Sequence, residues 1–138
     1  MQIAGENQNL SKTTHVFDSS AVLCIYLGEP GSDRLNDLAK GALISSVNLS
    51  EVVSKLQERG VSDDDIDAVT HDFDMEVVPF DHAQAVAAGK LRRATRSRGL
   101  SLGDRACLAL AAERRAVAVT TDKAWKDFEN VARILLVR

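Results

Sequence analysis

Apolar residues in this chain fall into short continuous runs that alternate with stretches of helical spacing. The continuous runs predict five strands, which are HVF, ALISS, MEVVPF, AVAVT and VARILLV. Apolar residues three and four positions apart predict helices between them, in the segments SSAVLCIYLGEPG, 32–40, 48–59, 62–73, 81–97, 101–115 and TDKAWKDF. Ser62 and Ser101 are predicted helix caps, and the 81–97 helix is predicted to end near Gly99. Strands and helices therefore follow each other along most of the chain.

Strands that alternate with helices form mostly parallel sheets, and continuous apolar strands indicate a sheet that is covered on both faces. We therefore expect an α/β fold, a three-layer α/β/α sandwich with a central, mostly parallel sheet of about five strands. The length of 138 residues and the hydrophobic content of 45% suit one compact domain. This domain is expected to span residues 15–138, because residues 1–14 are polar, lack periodicity and are predicted to be disordered.

Composition and charge exclude several classes of protein. Cys24 and Cys107 each lie in an apolar helical pattern and not in a metal-binding spacing, which predicts buried, reduced thiols. No apolar run approaches the ~20 residues of a membrane span and the N-terminus lacks signal-peptide features, so we expect a cytoplasmic protein. The net charge of −3 does not itself indicate a nucleic-acid binder, although basic residues cluster between Lys90 and Arg98.

Four carboxylates lie at element ends or in early helical turns, within the segments VFDSSAV, SSVNLSEVV, LSLGDRACLALA and VTTDKAW. Asp18 and Asp122 follow the first and fourth predicted strands, whose carboxyl ends share one edge of the sheet. Glu51 and Asp104 each lie near the start of a helix, from which they can lean over that edge. Converging carboxylates repel each other unless a divalent cation compensates their charge. The sequence therefore predicts an acidic site for Mg²⁺ or Mn²⁺, suited to phosphodiester hydrolysis.

Each carboxylate also has a purely structural interpretation. The three aspartates could be helix caps or first-turn residues that complement the helix dipole, and Glu51 could be a solvated helix residue. The chain would then be a non-catalytic α/β module that binds phosphate or a protein partner.

Taken together, the four segments resemble the motifs of the PIN-domain nucleases, most closely the VapC toxins of toxin–antitoxin systems. The pattern D-S-S-A after a strand matches VFDSSA, S-x-x-x-x-E-V matches SVNLSEV, LSLGDRACLALA matches nearly word for word, and T-x-D-x-x-W matches TTDKAW. The resemblance extends from His15 to the C-terminus. It implies that Asp18, Glu51, Asp104 and Asp122 are catalytic and bind the metal, directly or through water. Ser19, Asn48 and Thr121 are the supporting polar groups that it suggests.

The same resemblance implies a function and partners. It implies a Mg²⁺- or Mn²⁺-dependent endoribonuclease, the toxin of a VapBC-type system, which cleaves RNA such as a tRNA or a ribosomal RNA loop. The implied protein partners are a cognate VapB-type antitoxin and a second copy of the chain in a homodimer. A PIN nuclease that processes RNA in a housekeeping role, without an antitoxin, is the alternative within the family.

Three smaller residue sets each have two interpretations. The basic side chains of Arg92, Arg93, Arg96 and Arg105 could contact RNA phosphates or form a solvated helix face. Apolar residues of the first two helices could form a groove for an antitoxin helix or belong to the core, and these are Val22, Leu23, Tyr26, Leu27, Leu35 and Leu38. Trp125 is expected to be a packing residue and not a platform for base stacking.

Overall fold

The computed structural model describes residues 13–72 and 74–137 of the chain. Its strands are β1 (His15–Phe17), β2 (Leu43–Ser45), β3 (Glu76–Val78), β4 (Val117–Thr120) and β5 (Arg133–Leu136). They form one sheet in the order β3-β2-β1-β4-β5, in which every neighbouring pair is parallel. All five predicted strands are thus confirmed. Within the segment 1–14 that was predicted to be disordered, the Thr14 carbonyl accepts a hydrogen bond from Val117 N of β4. Residues 1–12 of that segment lie outside the described residues.

Helices connect the strands and cover the two faces of the sheet. Their bounds are α1 (Ser19–Tyr26), α2 (Ser32–Ala39), α3 (Ser46–Glu58), α4 (Asp63–His71), α5 (His82–Lys90), α6 (Arg92–Thr95) and α7 (Leu102–Arg114), with 3₁₀ turns at Arg96–Arg98 and Lys123–Phe128. Side-chain caps fix several starts, because Ser62 accepts from Asp65 N and Ser101 accepts from Asp104 N, as the sequence predicted. The predicted end of α4 at Phe73 lies outside the described residues.

The core consists of two clusters, one on each face of the sheet. Adjacent strand residues point in opposite directions, so Phe17 joins the cluster with Leu35 of α2, whereas Val16 joins the cluster with Leu108 of α7. Cys24 and Cys107 are buried in these two separate clusters, which confirms their predicted burial. The fold is therefore the expected three-layer α/β/α sandwich. Along the described part of the chain, no helix is long and apolar enough to cross a membrane.

The single long helix predicted for 81–97 is wrong, because the structure divides it into α5, α6 and a 3₁₀ turn. The Ala88 carbonyl would accept from the amide four residues later in a continuous helix. Instead it accepts from Leu91 N at 3.3 Å and from Arg105 Nη1 of α7 at 3.1 Å. The guanidinium of a neighbouring helix thus takes part of the hydrogen bonding that would have continued α5. The predicted stop at Gly99 is confirmed, since that residue is left-handed, with φ of 62°.

The strand order reverses between β1 and β4, which are neighbours at the centre of the sheet. The chain proceeds from β1 through β2 to β3 on one side, and then returns to β4 and β5 on the other. Crevices beyond the carboxyl ends of strands at such a reversal are the usual ligand sites of parallel sheets. Asp18 follows β1 and Asp122 lies two residues beyond β4, so both stand at this crevice.

Candidate active site

Asp18 is the most buried of the four predicted site carboxylates, with 3% of its surface exposed. Its two oxygens accept hydrogen bonds from Ser20 Oγ at 2.7 and 2.9 Å, from Ala21 N at 2.8 Å and from Thr120 Oγ1 at 2.6 Å. Burial nevertheless raises the pKa of Asp18 to about 6, and the nearby charge of Asp104 adds to the increase. The hydrogen bonds oppose this increase because they favour the ionised carboxylate. The ionised form of Asp18 is therefore unfavourable in this buried position unless a cation lies beside it.

The polar side chains around Asp18 differ from those that the sequence suggested. Ser20 and Thr120 contact its carboxylate, whereas the predicted supporting residues were Ser19 and Thr121. Thr121 contributes its backbone amide, which donates to Ser20 Oγ at 3.1 Å, and Asp122 N donates to Thr120 Oγ1 at 3.0 Å. This network ties the residues after β1 to those after β4. The motif spacing T-x-D already carried the signal for Thr120, because the threonine two residues before Asp122 is Thr120.

Asp104 and Asp122 approach Asp18 from two other elements. Asp104 belongs to a capping box at the start of α7, in which its Oδ2 accepts from Ser101 N at 3.2 Å. Asp122 caps the following 3₁₀ turn by accepting from Ala124 N at 3.0 Å. Partial burial raises the pKa of Asp104 and the charge of Asp122 raises it further, against the hydrogen bonds from Ser101 and the attraction of Arg105. Asp104 is thus close enough to both Asp18 and Asp122 to interact electrostatically with each of them.

Glu51 enters the same region from α3, on the other side of the crevice. Its Oε1 accepts from Asn48 Nδ2 at 3.0 Å, and the same amide donates to the Gly103 carbonyl of α7 at 3.0 Å. Asn48 therefore holds Glu51 against the turn that carries Asp104. Its own Oδ1 is buried and has no hydrogen-bond partner in the part of the chain that the structure describes.

The buried thiol of Cys107 is affected by the same carboxylates. Its thiol is fully buried one turn after Asp104, and burial raises its pKa well above the usual value. The charges of Asp18, Asp104 and Glu51 each raise the same pKa further. Carboxylates from three separate segments of the chain therefore act on one buried atom, which is the arrangement expected of a single acidic site.

The donor atoms suit a hydrated divalent ion better than a closed protein cage. Within residues 13–72 and 74–137, no three His, Cys, Asp or Glu side chains form a group that could hold a metal by themselves. Mg²⁺ commonly keeps several waters and takes only one or two carboxylates, so it does not need a closed group of protein side chains. The unpaired Asn48 Oδ1 is a further oxygen acceptor beside the carboxylates. The residues present therefore fit such an ion, held partly through water.

The sequence of this chain matches one protein family. The profile of the PIN domain matches residues 15–133. The chain belongs to the PIN domain family. No curated protein matches it.

Solved structures similar to this PIN domain include components of toxin–antitoxin complexes. A toxin–antitoxin complex from Klebsiella pneumoniae contains a chain of 19% identity with a TM-score of 0.68, covering 88% of this chain and 95% of that one. DNA-bound VapBC from Salmonella typhimurium gives 21% identity, a TM-score of 0.68 and coverages of 90% and 98%. VapC20 from Mycobacterium tuberculosis, a toxin that cleaves the sarcin–ricin loop, has 15% identity and a TM-score of 0.70, and the match covers 90% of this chain and 99% of that one. At these identities the likeness concerns the fold.

The division of the predicted 81–97 helix gives the PIN domain a concave basic surface. Lys90, Arg92, Arg93 and Arg96 line a cavity of about 550 Å³, and we call these four residues the basic surface. Its three arginines are exposed. Arg105 is placed differently, because it is half-buried and its Nη1 donates to the Ala88 carbonyl. The guanidinium of Arg105 thus joins α7, which carries Asp104, to the end of α5.

A second cavity of the PIN domain, of about 350 Å³, lies between α1, α2 and the end of α4. Its lining is mostly apolar and includes Val22, Tyr26 and Val69, with Asp72 and Asp74 at one side. Of the apolar residues proposed for a groove, Val22 and Tyr26 line this cavity, whereas Leu35 is fully buried in the core. Val22 is also buried in the core, so the core interpretation is confirmed for Val22 and Leu35, and the docking of an antitoxin helix in this cavity stays a prediction.

Proposed function

We propose that this protein is a metal-dependent endoribonuclease, the toxin of a VapBC-type system. The observation that carries the proposal is that Asp104 lies close enough to the buried Asp18 and to Asp122 for their charges to interact, while Glu51 lies against the turn of α7 that carries Asp104, at the reversal of strand order. Asp18 and Asp122 also act as N-caps and Asp104 completes a capping box, yet capping needs no burial and does not account for the position of Glu51. A buried carboxylate with a pKa of about 6 is unfavourable for a structural cap and useful beside a cation.

We infer distinct roles for the residues of this site. Asp18, Asp104, Asp122 and Glu51 would hold Mg²⁺ or Mn²⁺ through their carboxylates, partly by way of water. Such an ion supplies activation of water and stabilisation of charge on the phosphate and leaving oxygens. Ser20 and Thr120 keep Asp18 ionised and oriented, because both donate hydrogen bonds to its carboxylate.

RNA is the proposed substrate, and its phosphates are the groups that the basic surface would contact. The three exposed arginines of that surface can each form two hydrogen bonds to a phosphate. Arg105, in contrast, is better suited to keeping α5 beside Asp104. Trp125 is completely buried, which confirms that it is a packing residue and leaves it unable to stack on bases. Recognition would therefore depend on RNA shape and backbone more than on stacking.

An antitoxin is the proposed protein partner, and the cavity beside Tyr26 is the surface that suits it. The cavity combines an apolar lining with Asp72 and Asp74, so an amphipathic helix with a basic side chain would complement it. The similar structures from Klebsiella and Salmonella are toxin–antitoxin assemblies, which supports an antitoxin as the partner. A homodimer and a cytoplasmic location remain predictions from the sequence.

The nuclease proposal is tested by measuring RNA cleavage with and without divalent metal. EDTA should abolish cleavage by the purified protein and Mg²⁺ or Mn²⁺ should restore it, whereas Ca²⁺ should substitute poorly because its coordination is looser. Asp104→Asn and Glu51→Gln should each lower the rate by at least about a hundredfold, since each removes a charged ligand. Glu58→Gln, an exposed residue of the same helix as Glu51, is the matched control. Full activity in EDTA would exclude this mechanism.

The role of the protein is tested separately from its chemistry. Sequencing of RNA ends after pulsed expression would identify the cleaved RNA and the cleavage position. A short antitoxin reading frame beside the coding region, and relief of growth arrest by its product, would distinguish a toxin from a housekeeping nuclease. If neither RNA cleavage nor metal binding were detected, the non-catalytic module would be the correct interpretation.

A further inference from the structure

Gly103 lies directly beneath the carboxylate of Glu51. It is buried in the first turn of α7, immediately before Asp104. A Cβ atom at this position would overlap Glu51 Oε1, Oε2 and Cδ. The volume that any larger side chain would occupy at position 103 is therefore filled by a carboxylate from another helix.

The backbone does not explain why glycine occurs here. Gly103 has ordinary helical geometry and is not one of the glycines with positive φ. Glycine within a helix costs about 0.5–1 kcal/mol relative to alanine. Gly89, the other glycine within a described helix, has no atom within 4 Å of where its Cβ would be, so of these two helical glycines only Gly103 packs closely against a side chain.

Asn48 completes the contact from the side of α3. It is 1% exposed, and its amide nitrogen donates to Glu51 Oε1 and to the Gly103 carbonyl, both at 3.0 Å. Its two N–H groups thus bind the carboxylate and the backbone on which that carboxylate rests. Without this amide, Glu51 could adopt other rotamers, because its side chain is only half-buried.

We propose that Gly103 and Asn48 are positioning residues that hold the Glu51 carboxylate beside Asp104. This inference rests on the proposed function of the acidic site. Gly103 leaves the space and supplies an acceptor, and Asn48 fixes the orientation across the boundary between α3 and α7. Neither residue needs to contact substrate for its loss to slow the reaction.

A methyl group at position 103 should displace Glu51 without unfolding the protein. The atoms it would meet are the end of a flexible side chain and not backbone. The carboxylate can therefore rotate away, while alanine favours the helix. Since misplacement of a reactive group by about 1 Å can cost about a hundredfold in rate, Gly103→Ala should lower RNA cleavage at least about tenfold.

A double-mutant cycle tests whether position 103 acts through Glu51. Gly103→Ala should reduce cleavage at least about tenfold when Glu51 is present, but by less than about twofold in the Glu51→Ala background. Asn48→Ala, which leaves Gly103 unchanged, should show the same dependence on Glu51. A loss of equal size in both backgrounds would mean that these residues act independently of Glu51 and would overturn the proposal.

NMR of the metal-free protein provides a test that needs no activity. The Asn48 side-chain amide should give two protected proton signals, and Gly103→Ala should shift the proton that faces Glu51 and accelerate its exchange with water. Unchanged amide signals in Gly103→Ala would refute the contact. If the wild-type protein cleaved no RNA, the proposed nuclease function would fail while this measurement would still decide the positioning. Thermal unfolding of Gly103→Ala and Gly89→Ala should show both folded, which separates displacement of Glu51 from loss of structure.

Discussion

Replacement of Asp18 by asparagine should make the metal-free protein more stable at neutral pH while abolishing cleavage. Burial raises the pKa of Asp18 from 3.8 to about 6. One pKa unit corresponds to about 1.4 kcal/mol, so ionised Asp18 costs the metal-free fold about 3 kcal/mol. Asparagine carries no charge and is as good a helix cap as aspartate. The variant therefore avoids this cost and retains the hydrogen bond from Ala21 N.

The sign of this stability change follows from the folded state, which binds the Asp18 proton more tightly than the unfolded chain does. Below pH 3.8 Asp18 is neutral both folded and unfolded, and the stability associated with its neutral form is fully present. This stability is lost as pH rises through about 6, because the unfolded chain ionises first. Between pH 4 and pH 8 the stability difference between variant and wild type should therefore change by about 2.5 kcal/mol in favour of Asp18→Asn.

Urea unfolding in EDTA across this pH range measures the difference directly. Effects of the substitution that do not depend on pH cancel when the two pH values are compared. Asp67→Asn, an exposed position of α4, is the matched control for removing one charge. Mg²⁺ or Mn²⁺ at about 100 times its dissociation constant should stabilise the wild type by about 2.7 kcal/mol and the variant by much less. A stability difference that stayed constant with pH, or that favoured the wild type as pH rose, would refute the reasoning.

Three other predictions concern the remaining parts of the molecule. Thr120→Val removes a hydrogen bond that favours ionised Asp18, so the acidic limb of the pH profile of cleavage should move to higher pH, whereas Thr120→Ser should leave it in place. Replacing the three arginines of the basic surface with alanine should weaken RNA binding and reduce the slope of log affinity against log salt by about 0.7 per lost contact, and an unchanged slope would mean a solvated face. Trp125→Ala should cost about 3–5 kcal/mol in urea unfolding and Trp125→Phe clearly less, because Trp125 fills the core.

The strands and the caps could be predicted from the sequence because their signals are local. Continuous apolar runs identified all five strands, and Ser62 and Ser101 marked two helix starts. The break after Lys90 could not be predicted in this way. It depends on Arg105, which is distant in sequence and reaches the Ala88 carbonyl only after α7 has packed on the sheet. A local pattern therefore overestimated the length of that helix.

The same limit applies to the candidate site. Motif spacing and the common edge of parallel strands indicated the four carboxylates, whose catalytic role stays a prediction. The choice between Ser19 and Ser20 depends on the direction in which the first turn of α1 leaves β1, which the spacing does not specify. Gly103 was not predicted to matter, because its contact with Glu51 forms between two helices and leaves no periodic signal in the sequence.

Under the proposed toxin function, the use of Asp18 and Asp122 as helix caps affects how the gene would lose its activity. Asn replaces Asp by a single-nucleotide change in the codon and supports a helix start equally well. A host under selection against this protein would therefore have a short mutational path, through Asp18 or Asp122, to a folded chain without nuclease activity. Such a chain would retain the surfaces on which partners dock. Populations carrying an unneutralised copy should thus accumulate Asp→Asn changes at these two codons in addition to frameshifts and stops.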